Sequence, residues 1–186
     1  MEMTKWAPTL AVPVSPERDH IRGPQNAAVT LLEYGDYQCP FCGAAHLIVA
    51  EVRRQMGDTL QFVFRHFPLT TVHPMAEPAA EAAEAAGAQG KFWAMHDTLY
   101  ENQDQLSPAS LLAFAAAIGL DVDRLADELE RHIHFGKVRN DFLSGVRSGV
   151  RGTPTFFING RRHDGAWDLP NLLAAVQAAA AARRAA

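Results

Sequence analysis

"YGDYQCPFCG" (34–43) holds the only two cysteines of this 186-residue chain, Cys39 and Cys42, with Pro40 and Phe41 between them. The segments on either side decide what that spacing means. Upstream, "AAVTLLEYG" (27–35) is a short apolar run with β-branched residues, ended by Gly35, and reads as a buried strand. Downstream, "PFCGAAHLIVAEVRRQMG" (40–57) reads as a helix. Pro40 suits its first turn, where the missing N–H would be unpaired anyway, and Gly57 closes it. Gly43 is the one irregular choice in that first turn. "LQFVFRHFPL" (60–69) is a second apolar strand, stopped by Pro68. Strand, helix and strand in this order form a βαβ unit with parallel strands and a right-handed crossover. The cysteines therefore stand where a strand turns into a helix.

Beyond this unit the periodicity changes. Residues 74–148 read as an all-helical insertion. "HPMAEPAAEAAEAAGAQG" favours helix through its alanines, and "KFWAMHDTLYEN" puts Phe92, Met95, His96 and Leu99 on one face. Ser107-Pro108 is a helix start, with Ser as N-cap and Pro at the first position. "DVDRLADELERH" follows with Leu125 and Leu129, and "FGKVRNDFLSGVRSG" places Phe135, Val138, Phe142 and Val146 at helical spacing. At Gly152 the strand pattern returns. "GTPTFFING" ends in Asn159-Gly160, a favoured hairpin turn, and "RRHDGAW" comes back as an antiparallel strand. "DLPNLLAAVQAAAAARR" is a final helix with Asp168 as its cap. Residues 1–26, rich in Pro, charge and Gly-Pro, read as an extended N-terminal arm. The expected fold is α/β: β-α-β, helices, then β-β-α. Residues 27–73 and 149–186 form one domain around a central mixed sheet of four strands, and 74–148 are inserted between its halves.

Composition narrows the function. Hydrophobic residues make up 48% and charged residues 20%, with a net charge of −4 and no long basic run, so neither nucleic acid nor an anionic membrane is an expected partner. The longest apolar stretch, "LLAAVQAAAAA", is too short and alanine-rich to span a bilayer. The N-terminus carries acidic residues and no continuous apolar core of a secretory leader. The expectation is a cytoplasmic protein, or a periplasmic one whose leader has been removed.

Three readings compete for the cysteines. A structural zinc needs four ligands; Cys39, Cys42 and His46 supply three at most, and there is no second Cys pair. Two inert core cysteines have no reason to share a helix start. A redox pair uses that position: the sulfur of Cys39 meets unpaired N–H groups and the positive helix end, which favours thiolate. Cys42 lies one turn further in and more buried. Cys39 is then the more exposed, attacking thiol and Cys42 the resolving one, acting through a mixed disulfide. The remaining histidines are scattered in sequence, and no metal ligand set is expected among them.

Strand, C-P-x-C, helix, strand, helical insertion, "GTPTFFING" and terminal helix together resemble the DsbA-like branch of the thioredoxin superfamily, over residues 27 to about 180. "FRHFPL" and "GKFWAMHDTLYENQDQLS" also read like that branch. The resemblance implies a thioredoxin-like fold and protein thiol–disulfide exchange, with Cys39 as nucleophile and Cys42 as its partner. It makes Pro154 a cis-proline facing the sulfurs and Thr153 the residue whose backbone meets a substrate chain, with Pro40 and Phe41 beside it. It also makes Glu33 the buried acid beneath the pair, taking a proton from Cys42 with a pKa raised toward neutrality. No cofactor is implied beyond the Cys39–Cys42 disulfide. The implied partners are cysteine-containing proteins, with a redox protein or glutathione as electron partner. Strong oxidases of the family carry His where this chain has Phe41, so a less stabilised thiolate and a lower potential are expected, unless Arg151 restores positive field. Two rivals share the fold: a redox-inactive peptide-binding or chaperone-like module, and a glutathione-dependent isomerase or transferase.

Overall fold

The computed structural model describes residues 9–184. Its sheet has the order β1-β3-β2-β4-β5, from His20–Arg22 (β1), Val29–Gly35 (β2), Leu60–His66 (β3), Thr155–Ile158 (β4) and Arg161–Arg162 (β5). β2 and β3 are parallel and every other neighbouring pair is antiparallel. The helices are α1 (Pro40–Met56), α2 (Ala76–Ala88), α3 (Phe92–Glu101), α4 (Pro108–Ala117), α5 (Val122–Glu130), α6 (Phe135–Arg147) and α7 (Leu169–Arg184). β2-α1-β3, five helices and β4-β5-α7 thus follow in the expected order. The expected caps are present: Ser107 Oγ accepts from Ser110 N at 3.1 Å, Asp168 Oδ1 accepts from Asn171 N at 3.1 Å, and Gly57 ends α1 with a positive φ of 52°. Asn159 and Gly160 both have positive φ, 48° and 77°, as a type I′ hairpin turn requires.

The sheet has five strands, not four, because the arm joins it. Residues 1–8 of that arm lie outside the described residues, but His20–Arg22 pair with β3. Arg65 in β3 makes a buried ion pair with Asp19 at 2.8 Å and donates to the carbonyls of Val12 and Pro13 at 2.9 and 3.2 Å. Arg22 clamps Asp97 of α3 at 2.7 Å and lies 4.5 Å over the Trp93 ring. β1 is made by such distant partners, so three residues flanked by charge and Gly-Pro show no strand pattern of their own. β3 and β5 are shorter than expected, ending at His66 and Arg162.

The sheet is covered on both faces. One core joins Leu31, Phe62 and Phe64 to Cys42, Val49 and Val52 of α1, Met95 and Leu99 of α3, and Leu172 and Val176 of α7. A smaller core joins Leu32, Tyr34 and Phe157 to Phe67 and Val150, with Phe142 of α6 against it. The expected apolar face of α6 is only half right: Val138 is buried, but Phe135 and Val146 are exposed. α6 instead buries Asp141, Ser144 and Gly145. Ser144 Oγ is 2.7 Å from the Tyr34 hydroxyl, and a Cβ on Gly145 would meet the Phe67 ring at 2.7 Å. Close approach and polar pairing replace oil-like packing there.

Candidate active site around Cys39 and Cys42

The turn between β2 and α1 is held by side chains. Asp36 accepts from Gln38 N (2.8 Å) and Leu69 N (2.9 Å), and pairs with His73 Nδ1 at 2.8 Å. Cys39 is the N-cap of α1 and Pro40 its first residue. Gln103, just beyond α3, donates through Nε2 to the carbonyls of Tyr37 (2.7 Å) and Cys39 (2.9 Å). This explains Gly43: a Cβ there would lie 2.0 Å from Gln103 Oε1. The insertion thus straps the cysteine turn across a gap that only glycine leaves open.

Both thiols are free and buried. Cys39 is 3% exposed and Cys42 0%, so Cys39 does not stand exposed as expected. Its sulfur is tucked against the 153–154 segment, 3.5 Å from the Thr153 carbonyl oxygen. The difference between the thiols lies in their protonation. Cys39 is lowered to about 5: the Cys42 thiol is the largest cause, opposed by desolvation and assisted by Thr153 and the backbone N–H groups of Cys42 and Phe41. Cys42 is pushed well above its ordinary range, first by burial and then by the hydrogen bond to Cys39 and the charge of Glu33. A thiolate at Cys39 and a thiol at Cys42 is the preferred state.

Glu33 lies in the middle of β2, opposite Phe64 of β3 and Phe156 of β4. Alternation along β2 puts it on the face of Leu31, towards α1. It is 2% exposed, its Oε1 has no hydrogen-bond partner, and its pKa is raised to about 8 by burial first and the charge at Cys39 second. Two other buried oxygens beside the thiols also lack partners, the Tyr100 hydroxyl and Thr153 Oγ1. A Cβ on Gly35 would meet the Tyr100 hydroxyl at 2.8 Å, which places that hydroxyl at the end of β2. The Thr153–Pro154 bond is cis. Thr153 and Pro154 line a shallow groove of about 430 Å³ together with Phe41, Arg151, Arg162 and Trp167. Phe41 is 65% exposed. The structure therefore brings together all seven residues singled out in the sequence: Glu33, Cys39, Pro40, Phe41, Cys42, Thr153 and Pro154. Gln103, Asp36 and Tyr100 were missed; Gly43 and Gly35 were the only local signs of them.

The scattered histidines are not all isolated. Among the described residues, His46, His96 and Asp97 form one cluster of ligand-type groups, and His66, Glu84 and Asp141 another; neither contains a cysteine. Protein groups already engage both. Asp97 is clamped by Arg22, and His96 Nδ1 is 3.0 Å from the Tyr37 hydroxyl. Lys137 reaches Asp141 at 2.5 Å and Glu84 at 3.7 Å.

A family model described as Thioredoxin matches residues 15–178. The Na(+)/H(+) antiporter NhaA 3 of Salinispora tropica is 49% identical over 175 residues, which is 94% of this chain and 27% of that protein. The chain thus spans about a quarter of the length of the curated relatives it matches. Oxidised BdbD from Bacillus subtilis superposes with a TM-score of 0.82 at 21% identity, covering 90% of this chain and 95% of that one. Wolbachia pipientis alpha-DsbA1 does so at 0.79 and 20% identity, covering 95% and 96%. With its helical insertion between the two halves of the sheet, the chain belongs to the thioredoxin family and has the fold of the DsbA-like members of that superfamily.

Proposed function

We propose that this chain is a protein thiol–disulfide oxidoreductase acting through Cys39 and Cys42. The observation that carries this reading is the opposite shift of the two thiols over an unpartnered Glu33. In the oxidised protein, a substrate thiolate attacks Cys39 Sγ. The Cys39–Cys42 bond breaks, a mixed disulfide forms on Cys39, and Cys42 leaves as a thiolate that takes the Glu33 proton. A second substrate thiolate then attacks the substrate sulfur and expels Cys39 as its stable thiolate. Two electrons pass from the substrate to the protein. In the reverse direction Glu33 accepts the Cys42 proton as Cys42 resolves the mixed disulfide.

A nucleophile near pKa 5 is a good leaving group and stabilises the reduced form, which favours giving disulfides away. The support that Phe41 does not provide comes from Cys42, Thr153 and the first turn of α1. Disulfide donation belongs in an oxidising compartment, so we place the chain there and do not carry forward the cytoplasmic expectation. Substrates are cysteine-containing proteins whose chain lies along Thr153, Pro154 and Phe41, and glutathione or a redox protein returns the electrons. Antiport is named for relatives of which this chain matches only 27%, and it is not assigned to this chain; no helix among the described residues is long and apolar enough to cross a membrane.

A glutathione redox titration, run beside insulin-reduction and glutathione-conjugation assays, tests the proposal. The expected result is a two-electron Cys39–Cys42 couple with exchange activity and no conjugation. Conjugation without exchange supports the transferase rival, and neither activity supports the redox-inactive module.

A further inference from the structure

The helical insertion carries a second cleft, lined by none of the residues around the cysteines. It lies between α2, α4 and α5 and holds about 320 Å³. Pro78, Leu111, Leu112 and Leu129 make its walls apolar. Small residues at its edges, such as Ala126, leave the gap unfilled.

One lining residue is out of keeping with these walls. Glu81 is 2% exposed, and the structure gives only one of its carboxylate oxygens a partner. Oε1 accepts from His132 Nδ1 at 2.8 Å, while Oε2 has no hydrogen bond. An acceptor left bare in an apolar wall is unfavourable unless something donates to it. His132 follows α5 at the left-handed position that closes the helix, with a φ of 51°, its N–H bonded to the Leu129 carbonyl and that of Ile133 to the Glu128 carbonyl. From there its ring reaches Glu81 at the cleft wall. Glu130 adds a further carboxylate to the lining.

We propose that this cleft binds a small amphipathic amine, its ammonium group donating to Glu81 Oε2 and its hydrocarbon body lying against Leu111, Leu112 and Leu129. Size, apolar lining and a few convergent polar groups are what a small-molecule site requires. The two carboxylates select a cation over a neutral or anionic head. This site is independent of the thiol chemistry, and its failure would leave the exchange reading untouched.

Hexylamine, hexanol and hexanoate differ in head group and share one tail. Titrated into the full chain and followed by amide chemical shifts, hexylamine is expected to saturate with shifts centred on Glu81, Leu111 and Leu129. Its affinity should exceed that of hexanol by about tenfold or more, the range of a charge-assisted hydrogen bond, and hexanoate should bind weakest. Glu81→Gln should erase the preference for amine over alcohol. Leu129→Trp should fill the cleft and abolish both, with insulin reduction unchanged. Equal binding of amine and alcohol, a preference that survives Glu81→Gln, or no saturable binding at all would overturn the assignment. Should Glu81→Gln fail to fold, the comparison of head groups in the unaltered protein decides alone.

Discussion

Two of the buried glutamates, Glu33 and Glu84, are treated in opposite ways. Glu33, under the cysteines, is 2% exposed with a bare Oε1, and burial raises its pKa to about 8. Glu84, on α2, is 7% exposed and surrounded by donors: His66 at 2.8 Å, His20 at 2.9 Å and Lys137 at 3.7 Å. Desolvation pushes its pKa up as well, but these partners outweigh it and hold the carboxyl far below the usual range. Burial is common to both, so partners set the outcome. The paired glutamate ties β1, β3, α2 and α6 into one unit. The unpaired one keeps a proton that can move near neutral pH, beside the thiol that needs to lose or gain one.

Substitutions at the two regions separate chemistry from architecture. The largest effect belongs to the cysteines: Cys39→Ser should abolish exchange, while Cys42→Ser should still attack and accumulate mixed disulfides, visible by mass spectrometry. Next comes Glu84→Gln, which leaves its donors facing a neutral amide. It should lose about 3 kcal/mol of stability in chemical denaturation, with Cys39 reactivity in the folded protein unchanged. Glu33→Gln should do the reverse. It removes a carboxyl that the fold disfavours when ionised, so stability should hold or rise, while resolution of a mixed disulfide slows by about 10²-fold in stopped-flow. If both variants lose stability alike, the contrast fails. The smallest effect is expected of Phe41→His. With Cys39 already near 5, an added imidazole should raise the potential by roughly 30 mV for each further pKa unit.

The two carboxyls also predict opposite pH dependence. Glu33 has a folded pKa raised from 4.5 to about 8, so folding takes up a proton in that window and stability falls as pH rises through it. Glu84 has a lowered folded pKa; its contribution is fully present above 4.5 and is lost as pH falls below it. In the reduced protein, Cys39, lowered from 9.0 to about 5, adds stability as pH rises and offsets Glu33. The oxidised protein lacks that offset. Between pH 5 and 8 its stability should decline more steeply than that of the reduced protein in urea titrations.

What the sequence displayed and what it hid follow the same division. The cysteine turn is local: Pro40 at a helix start, Cys39 and Cys42 one turn apart, and Glu33 in an apolar strand are all legible within ten residues. Thr153 and Pro154 are distant and were placed at the site by resemblance. The Glu84 network was not legible, because His20, His66, Glu84 and Lys137 come from four elements and only the folded sheet brings them together. β1 was missed for the same reason. Gly43 is an intermediate case: its place in a helix was visibly odd, but Gln103, 60 residues later, is what the gap accommodates.

A pH titration of the reduced protein, following thiolate absorbance together with the alkylation rate of each cysteine, tests the central claim most directly. One thiolate should appear with a midpoint near 5, and alkylation near neutral pH should fall on Cys39 while Cys42 stays protonated. Equal alkylation of the two thiols, or a first midpoint near the ordinary cysteine value, would contradict the account.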